Sequence, residues 1–233
     1  MLVNVVETTS VTEKSDICNF ALENLKNSKK SFELEGGIVI ISSKVISILE
    51  GNLVNLDEIS FENLVEREAD EVISCKNGVY LTLKNGIYIP NAGVDVSNTP
   101  KNTAITWPRD PWGTADSLKE CLKKEFGLKN IGVIISDSFV VPGRKGVTGV
   151  ALAWSGVEGV EDERSREDLF GEPLKITQKA IADNLVSSAL LLMGEADEST
   201  PIAIIKDAPV KFTDRKIDPL EGIMGDGDLF DIG

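Results

Sequence analysis

The chain has 233 residues, of which 42% are hydrophobic and 27% are charged. This length and composition are typical of a globular protein that buries a sizeable core, as one large domain or two small ones. The net charge of −14 argues against nucleic acid as a partner, because no long basic stripe offsets phosphate repulsion. The absence of histidine excludes histidine bases and triads, and without a cysteine pair it argues against a zinc site. A bound metal would therefore be a hard cation with oxygen ligands, such as Mg²⁺ or Mn²⁺.

Three features of the sequence predict where the protein is found. No apolar run reaches the roughly 18 residues that a membrane span needs, and the N-terminal MLVNVVETTS lacks the basic and apolar regions of a signal peptide. Cys18, Cys75 and Cys121 are scattered along the chain, which fits buried free thiols in a reducing compartment. We therefore predict a cytoplasmic protein without a membrane segment.

Hydrophobic periodicity and breaker residues predict the elements of the first half of the chain. In order, these are a strand at 2–6, a helix from Thr12 or Ser15 to Leu25, a strand at 37–41, an acidic helix over 57–73 and a hairpin over 79–90. The strand at 37–41 enters a polar turn, Ser42-Ser43-Lys44. Asn85-Gly86 is typical of a type I′ turn between two paired strands, which is why 79–90 is predicted as a hairpin.

The same signals predict the second half of the chain. In order, these elements are a strand at 103–107, a helix from Thr114 to Phe126 ended by Gly127, strands at 131–135 and 147–155, a helix over 177–193 and a strand at 201–206. A polar loop that begins with Asp137-Ser138 and contains Arg144-Lys145 joins the two neighbouring strands. The tail after Asp207 is rich in Gly, Pro and Asp, and is expected to lie over the protein body or to be partly mobile.

This order of elements predicts an α+β fold with mixed, largely antiparallel sheets and flanking helices. Strands and helices do not alternate strictly, and one strand pair is a hairpin, which disfavours a doubly wound parallel sheet. Neither G-x-G-x-x-G nor G-x-x-x-x-G-K-[ST] is present, so the two common phosphate-binding loops have no support.

Four segments place polar side chains directly after an apolar run. They are Ser42-Ser43-Lys44, 95–98, Asp137-Ser138 and 195–200. Each segment taken alone is typical of a turn. A carboxylate and a hydroxyl at the end of a buried strand, followed by the basic loop at Arg144-Lys145, suit a metal held against phosphates. A strand end followed by an ordinary polar turn stays open as the alternative.

Four short sequence motifs occur along the chain: NAGVDVSN at 91–98, VIISDS at 133–138, RKGVTGVA at 144–151 and LLMGE at 191–195. In these motifs the chain resembles the coenzyme F420-0:γ-glutamyl ligase family, which typically has NAGIDxSN, VIISDT, RRGxxGxA and LLMGE. Weaker similarities are SSK…EG over 42–51 and DLFG over 168–171. The resemblance covers nearly the whole chain.

The resemblance implies one F420-0:γ-glutamyl-ligase-like unit over 1–233, with a division into two intertwined subdomains left open. It also implies an intertwined homodimer with the nucleotide near the interface. The implied reaction joins L-glutamate to a carboxylate acceptor through an amide bond at the expense of GTP or ATP. The γ-phosphoryl group would pass to the acceptor carboxylate, and the glutamate amine would displace phosphate from the acyl phosphate.

The resemblance also implies the residues of the site. The implied metal ligands are Asp95 and Asp137 for one divalent cation, and Ser138 and Glu195 for a second. Two Mg²⁺ or Mn²⁺ ions would then bridge the phosphates. The implied nucleotide-binding residues are Ser42, Ser43, Lys44, Asn98, Met193, Gly194, Ala196 and Asp197. The implied catalytic residues are Asp137, Arg144 and Lys145, with the two basic side chains facing phosphate or substrate carboxylates.

Three segments depart from the family pattern. Ile48 stands where the family usually has a lysine, and 140–146 lacks one arginine and an aromatic residue of the family loop. The segment 7–16, which would meet the guanine base, is not family-like. Ser138 replaces a threonine but keeps the hydroxyl. The metal-binding positions are thus retained, and the departures concern the nucleotide base and the acceptor.

Three functions therefore stay open. The first is a glutamate ligase whose acceptor is the coenzyme F420 precursor or another pterin, deazaflavin or folate-like carboxylate. The second is a degenerate family member that binds nucleotide or metal as a regulator, although the retention of Asp95, Asp137 and Glu195 speaks against it. The third is a structural subunit that keeps only the dimer fold. The choice between GTP and ATP and the number of glutamates added also stay open.

Overall fold

A computed structural model describes residues 1–11, 14–28, 34–141 and 143–219. Its strands are β1 (Leu2–Val6), β2 (Gly37–Ser42), β3 (Leu53–Asn55), β4 (Glu71–Lys76), β5 (Val79–Lys84), β6 (Ile87–Pro90), β7 (Thr103–Ile105), β8 (Ile131–Val140), β9 (Val147–Ser155), β10 (Val160–Asp162), β11 (Gln178–Ala180) and β12 (Ile202–Lys206). Its helices are α1 (Ile17–Asn27), α2 (Ser43–Glu50), α3 (Phe61–Glu68), α4 (Pro111–Phe126) and α5 (Ile181–Met193), with a 3₁₀ turn at Asn91–Gly93. The α+β class predicted from the sequence is confirmed.

The main core is built on a five-stranded sheet in the order β1-β12-β2-β8-β9. β2 and β8 are parallel, and all other neighbours in this sheet are antiparallel, so the sheet is mixed. Side chains alternate between the two faces of a strand. Accordingly, Val39 and Ile41 pack with residues of α1 and α4, whereas Ile38 and Ile40 pack with residues of α5. All four are at most 1% exposed, so β2 is buried on both faces.

A smaller lobe is inserted between α2 and α4. It contains the antiparallel sheet β4-β5-β6, the β3–β7 pair and α3. Leu64 and Val65 of α3 pack with Ala92 of the 3₁₀ turn to form its core. Asn85 and Gly86 join β5 to β6 with φ angles of 51° and 78°, as a type I′ turn requires. The predicted hairpin is confirmed.

Two predicted helices differ from the structure. The segment predicted as one helix over 57–73 contains α3, which ends at Glu68, and then β4, because pairing of β4 with β5 overrides the local helical pattern. The helix predicted over 177–193 begins at Ile181, because the preceding residues pair with β10 as β11. Leu192 shares the apolar helical spacing of Leu185 and Ala189, which predicts a place on the core face, but it is 51% exposed.

Two predicted helix starts are also wrong. Asp16 caps α1 by accepting the Asn19 N–H at 2.7 Å, so the cap is not Ser15. Thr12, the alternative cap, lies outside the described residues. Asp110 caps α4, which starts at Pro111, three residues before the predicted start at Thr114.

The cysteines are not the three buried thiols that we expected. Cys18 on α1 and Cys121 on α4 are joined by a disulfide, with Cα atoms 6.4 Å apart, within the usual range for this bond. Cys75 on β4 is free and exposed. Sequence spacing could not reveal the pair, because its two helices meet only in the folded chain.

The tail after β12 follows the protein body as far as it is described. Phe212 forms a β-bridge with Val157, and Ile217 is 6% exposed in the cluster beside α5. Residues 220–233, the rest of the predicted tail, lie outside the described residues. In the described part of the chain, no helix combines the length and apolar character needed to cross a membrane.

Candidate functional site

At one edge of the main sheet β1 and β2 end, β12 begins, and β8 continues past its neighbours. β2 and β8 are parallel, and Ser42, the last residue of β2, lies opposite Ser136, so Asp137 and Ser138 of β8 follow just beyond the end of β2. Ile202, at the start of β12, pairs with Ile41 of β2 and with Val6 at the end of β1. The segments adjoining these strand ends therefore meet, and they line a groove of about 700 Å³.

This groove contains most of the residues that the sequence suggested. Those lining it are Ser42, Lys44, Asp95, Asn98, Asp137, Ser138, Met193, Gly194, Glu195, Ala196 and Asp197. Three suggested residues are not among the lining residues. Ser43 is buried at 3% exposure, and Arg144 and Lys145 lie exposed in the loop between β8 and β9.

The expected polar turn at Ser42-Ser43-Lys44 is the start of α2. Ser42 is the N-cap residue of this helix, and its side chain makes no capping hydrogen bond. The first N–H groups of a helix lack partners within it, and its dipole is positive at this end, so anions are favoured there. Because Ser42 and Lys44 line the groove, α2 brings a positive helix end to it.

Asp95 is held by Ser97 and by Lys44. Its Oδ1 accepts the Ser97 N–H at 2.7 Å, which is an Asx-type turn. Lys44 Nζ lies 2.6 Å from Asp95 Oδ2 and also donates to the hydroxyl and carbonyl oxygens of Ser97, at 2.8 and 3.1 Å. Burial raises the pKa of Asp95, but hydrogen bonds from Lys44 and Ser97 outweigh this effect, so the pKa lies below its ordinary value.

Asp137 lies within β8 and not in a loop, because β8 continues to Val140 along β9. The pairing shifts between Ile135 and Ser136, where β9 has one extra residue, Leu152. Such a bulge bends its strand and changes the direction of nearby side chains. The departure from regular pairing thus comes immediately before the groove residues of β8.

Two donors hold the Asp137 carboxylate. Trp107 Nε1 donates to Oδ2 at 2.6 Å, and the Ser138 N–H donates to Oδ1 at 2.9 Å. Burial raises the pKa of Asp137 to about 6, with a smaller contribution from the negative charge of Asp95, and the two hydrogen bonds only partly oppose this rise. The carboxylate therefore lies where negative charge is insufficiently compensated.

The segment that follows α5 forms another wall of the groove. Gly194 has φ 76° and ψ 179°, a backbone conformation that is essentially restricted to glycine. Glu195 accepts the Ser138 hydroxyl proton at 3.0 Å, and Asn98 Nδ2 donates to the Ala196 carbonyl at 2.7 Å. These contacts tie the segment to β8 and to the Asp95 loop.

Thr8 to Val11, in the segment 7–16 that was expected to meet the nucleotide base, line the groove, and the Thr8 N–H donates to the Ser199 carbonyl at 2.9 Å. Ser97 and Trp107, which contact the two aspartates, were not named individually from the sequence. Ser97 carried a usable signal, because Asp-x-Ser favours an Asx turn. Trp107 carried none, because the carboxylate that it contacts lies 30 positions further along the chain.

The groove is strongly acidic. Its carboxylates belong to Asp95, Asp137, Glu195, Asp197 and Glu198, and Lys44 is the only basic residue among the described residues that line it. A phosphorylated ligand would therefore meet net repulsion unless cations accompany it.

The donor atoms of the groove fit a hard cation. In the part of the chain that is described, no three His, Cys, Asp or Glu side chains form a ready-made metal centre. Mg²⁺, however, is commonly held by one or two carboxylates and completes its shell with water and substrate phosphates. Asp95, Asp137 and the Ser138 hydroxyl offer the oxygen ligands that this arrangement needs.

Fold and groove together define the class of this protein. It is an α+β protein with a groove lined by carboxylate and hydroxyl oxygens beside the N-terminus of α2. The sequence profile of the family "F420-0:Gamma-glutamyl ligase" matches residues 5–207. The chain belongs to this family, as its sequence motifs indicated.

Curated relatives carry the name "Coenzyme F420:L-glutamate ligase". The chain is 38% identical over 196 residues to the protein of Methanopyrus kandleri, which covers 76% of this chain and 77% of the relative. It is 33% identical over 194 residues to that of Methanothermobacter thermautotrophicus, with the same coverage. Identity to the Methanocaldococcus jannaschii protein is 45% over 126 residues, or 54% of this chain and 50% of the relative. For this relative and several others, the chain matches about half of the relative's length.

Proposed function

We propose that the protein is a nucleotide- and metal-dependent ligase that adds L-glutamate through an amide bond to a carboxylate acceptor. The acceptor would be the coenzyme F420 precursor or a related folate- or deazaflavin-like compound. The observation that carries this proposal is the convergence of Asp95, Asp137, Ser138 and Glu195 in one groove beside the N-terminus of α2. The names of the relatives support glutamate as the group added.

Two divalent cations, Mg²⁺ or Mn²⁺, would be held by the groove oxygens. Asp95 and Asp137 would bind one, and their mutual repulsion, which contributes to the raised pKa of Asp137, would favour a cation between them. Ser138 and Glu195 would help to hold the second. Because the Ser138 hydroxyl donates its proton to Glu195, its oxygen keeps lone pairs for a ligand. When bound, the cations would neutralise phosphate charge and orient the γ-phosphoryl group.

The nucleotide, GTP or ATP, would lie with its phosphates at the N-terminus of α2, near Ser42 and Lys44. Asn98 and the segment from Met193 to Asp197 would contact the rest of the nucleotide, since they line the same groove. Arg144 and Lys145 stay candidates for binding the phosphate or carboxylates of the acceptor. Their loop runs into Val147, which lines the groove.

The reaction would proceed in two steps. A carboxylate oxygen of the acceptor would attack the γ-phosphorus, with the nucleoside diphosphate leaving. The glutamate amine would then attack the acyl carbon, losing a proton and releasing inorganic phosphate. The contribution of the groove would be alignment of the reactants and compensation of charge, which is consistent with a site that lacks histidine.

We also propose that the protein acts as a homodimer. The hairpin formed by β10 and β11 supports this, because it presents large apolar side chains to solvent: Leu169, Phe170 and Ile176 are 100%, 90% and 67% exposed. Exposed apolar groups that lie close together are typical of interaction sites.

Phosphate release from GTP or ATP tests the proposed ligase. The assay would contain Mg²⁺ or Mn²⁺, glutamate and a panel of carboxylate acceptors, with mass spectrometry to count the glutamates gained by each acceptor. Asp137→Asn should lower turnover by roughly 100-fold or more, as expected when a group that organises transition-state charge is lost. Asp57→Asn, in the smaller lobe, is the matched control and should leave turnover unchanged. Nucleotide binding without turnover would instead favour a regulator, and no nucleotide binding would favour a structural subunit.

A further inference from the structure

Trp107 is a core residue that makes one polar contact with the groove. It follows β7, is 6% exposed and belongs to the main hydrophobic cluster. Its indole Nε1 donates to Asp137 Oδ2 at 2.6 Å. A hydrogen bond to a charged acceptor is among the stronger ones in proteins, so this contact links the packing of the core to the candidate site.

The indole and the backbone together fix the orientation of the Asp137 carboxylate. One oxygen accepts from Trp107 and the other from the Ser138 N–H, at 2.6 and 2.9 Å. Rotation of the carboxylate about the Cβ–Cγ bond would weaken the hydrogen bonds from both Trp107 and Ser138. Each oxygen retains an acceptor position, so the carboxylate is oriented and can still bind a cation.

The indole is itself held in place. Gly93, in the NAGVDVSN motif, lies so close to it that a Cβ on this residue would overlap the ring. Lys84 Nζ lies 5.4 Å from the ring centroid, within cation–π range, and is paired with Glu68 at 3.0 Å. The Trp107 carbonyl accepts from Asn52 Nδ2 at 3.3 Å. An indole fixed in this way can hold a carboxylate in one orientation.

We propose that Trp107 is a positioning residue, which holds the Asp137 carboxylate in the orientation that binds a divalent cation. Gly93 provides the space that the indole occupies, which gives this motif glycine a role in the site without contact to the ligand. The inference rests on the proposed function, because it assigns the cation to Asp137. Groups that orient a metal ligand typically affect metal affinity or activity by 10- to 100-fold.

The hydrogen bond can be observed directly by NMR of the indole N–H groups. The protein has three tryptophans, and Trp112→Phe and Trp154→Phe assign the Trp107 signal by elimination. Mg²⁺ should shift the Trp107 resonance of the wild-type protein and leave that of Trp112 in place. Asp137→Asn should shift the Trp107 resonance without Mg²⁺. If neither Mg²⁺ nor Asp137→Asn shifts the Trp107 resonance, the proposal is overturned. This test does not depend on whether Trp107 variants fold.

Metal affinity provides the second measurement. Trp107→Phe keeps the ring and removes the donor, and should raise the Mn²⁺ dissociation constant, measured by calorimetry without nucleotide, by roughly 10- to 100-fold. Trp112→Phe is the matched control, because Trp112 packs edge-on against Trp154 at 4.8 Å and should leave Mn²⁺ affinity unchanged.

The possible results separate this inference from the ligase proposal. Wild-type Mn²⁺ affinity in Trp107→Phe would overturn the positioning role, whatever the ligase activity. Weakened Mn²⁺ binding together with the NMR shifts, but no turnover with any acceptor, would support the positioning role and contradict the ligase. An absence of Mn²⁺ binding by the wild-type protein would overturn both.

Discussion

At the scale of residues, the fold shifts the pKa values of the two groove aspartates, Asp95 and Asp137, in opposite directions. Asp95 has Lys44 as a counterion and two hydrogen bonds from Ser97, which together hold its pKa below the ordinary value against the effect of burial. Among the described residues, Asp137 has no counterion in direct contact, and burial raises its pKa. The groove therefore combines a compensated carboxylate with one that gains from an added cation.

The raised pKa of Asp137 predicts a pH dependence of stability in the absence of metal. The pKa is about 6 in the folded protein against an ordinary value of 3.8, so the folded state binds this proton more tightly than the unfolded chain. The contribution to stability is therefore fully present below pH 3.8 and is lost as the pH rises through about 6. We expect the free energy of unfolding of the wild type, relative to Asp137→Asn, to fall across this window. Urea unfolding in EDTA measures it, and a difference that stays constant with pH would contradict the assignment.

Gly93 and Gly78 form a matched pair for testing the contact with the indole. Their φ angles are 70° and 76°, and nothing lies within 4 Å of a Cβ built on Gly78. Alanine at either position would incur the strain of a left-handed backbone, about 1–2 kcal/mol, but only Gly93→Ala would also collide with Trp107. We expect Gly93→Ala to lower the free energy of unfolding by about 1–3 kcal/mol more than Gly78→Ala, as for overpacked cores. Equal losses in urea unfolding would show that the indole does not depend on Gly93.

At the scale of elements, the DLFG turn and the Cys18–Cys121 disulfide each connect two secondary-structure elements. The DLFG motif is a turn in which Asp168 Oδ1 accepts the N–H groups of Phe170 and Glu172, at 2.8 and 3.0 Å. This turn is the tip of the hairpin between β10 and β11, and it leaves Leu169 and Phe170 exposed. α1 and α4 are likewise joined by a disulfide across a sequence separation of 103.

The link between α1 and α4 can be tested by counting thiols and by unfolding. The untreated protein should have one reactive thiol, Cys75, and the reduced, denatured protein should have three. Because the disulfide closes a long loop in the unfolded chain, the double change Cys18→Ser and Cys121→Ser should lower the free energy of unfolding by about 2–4 kcal/mol without reductant. Cys75→Ser is the control and should change it little. Three reactive thiols before reduction would rule the disulfide out.

At the scale of the whole molecule, the site is made by topology. β2 ends at the edge where the parallel strand β8 continues past it, and at the same edge β1 ends and the antiparallel strand β12 begins. The smaller lobe contributes Asp95, which Lys44 of α2 contacts. No single element contains the site, so its geometry depends on the packing of the lobe against the main sheet.

The proposed homodimer predicts a change in mass on altering the β10–β11 hairpin. The double change Leu169→Asp and Phe170→Asp puts charges on residues that are 100% and 90% exposed, so the monomer fold should be kept. If the hairpin forms the interface, light scattering should show a dimer for the wild type and a monomer for the variant. Leu2→Asp, at a residue 58% exposed on the edge strand β1, is the control and should stay dimeric. A variant that remains dimeric would place the interface elsewhere.

The elements predicted correctly are those whose signal is local. Four strands are rich in apolar and β-branched residues: β1, β2, β9 and β12. The Asn85-Gly86 pair favours a type I′ turn and so predicts the β5–β6 hairpin. The elements predicted wrongly depend on a distant partner. The sequence predicts a helix at β4, because the pairing of β4 with β5 is not visible in the composition of β4. It predicts that β8 ends at Ile135, because Asp137 and Ser138 are typical loop residues and only their pairing with β9 makes them part of the strand.

The same distinction applies to the candidate site. Sequence motifs were enough to name four candidate ligands, Asp95, Asp137, Ser138 and Glu195. Each has an oxygen-bearing side chain of the kind that a hard cation requires, and this is visible in a single sequence. The partners of these residues could not be named. Trp107 reaches Asp137 and Lys44 reaches Asp95 only because the smaller lobe packs against the main sheet, and Cys18 meets Cys121 only when α1 packs on α4. The type of residue at a site position depends on the chemistry required there, which a single sequence shows. The proximity of residues that are distant in the sequence depends on burial of the hydrophobic core, which only the folded structure shows.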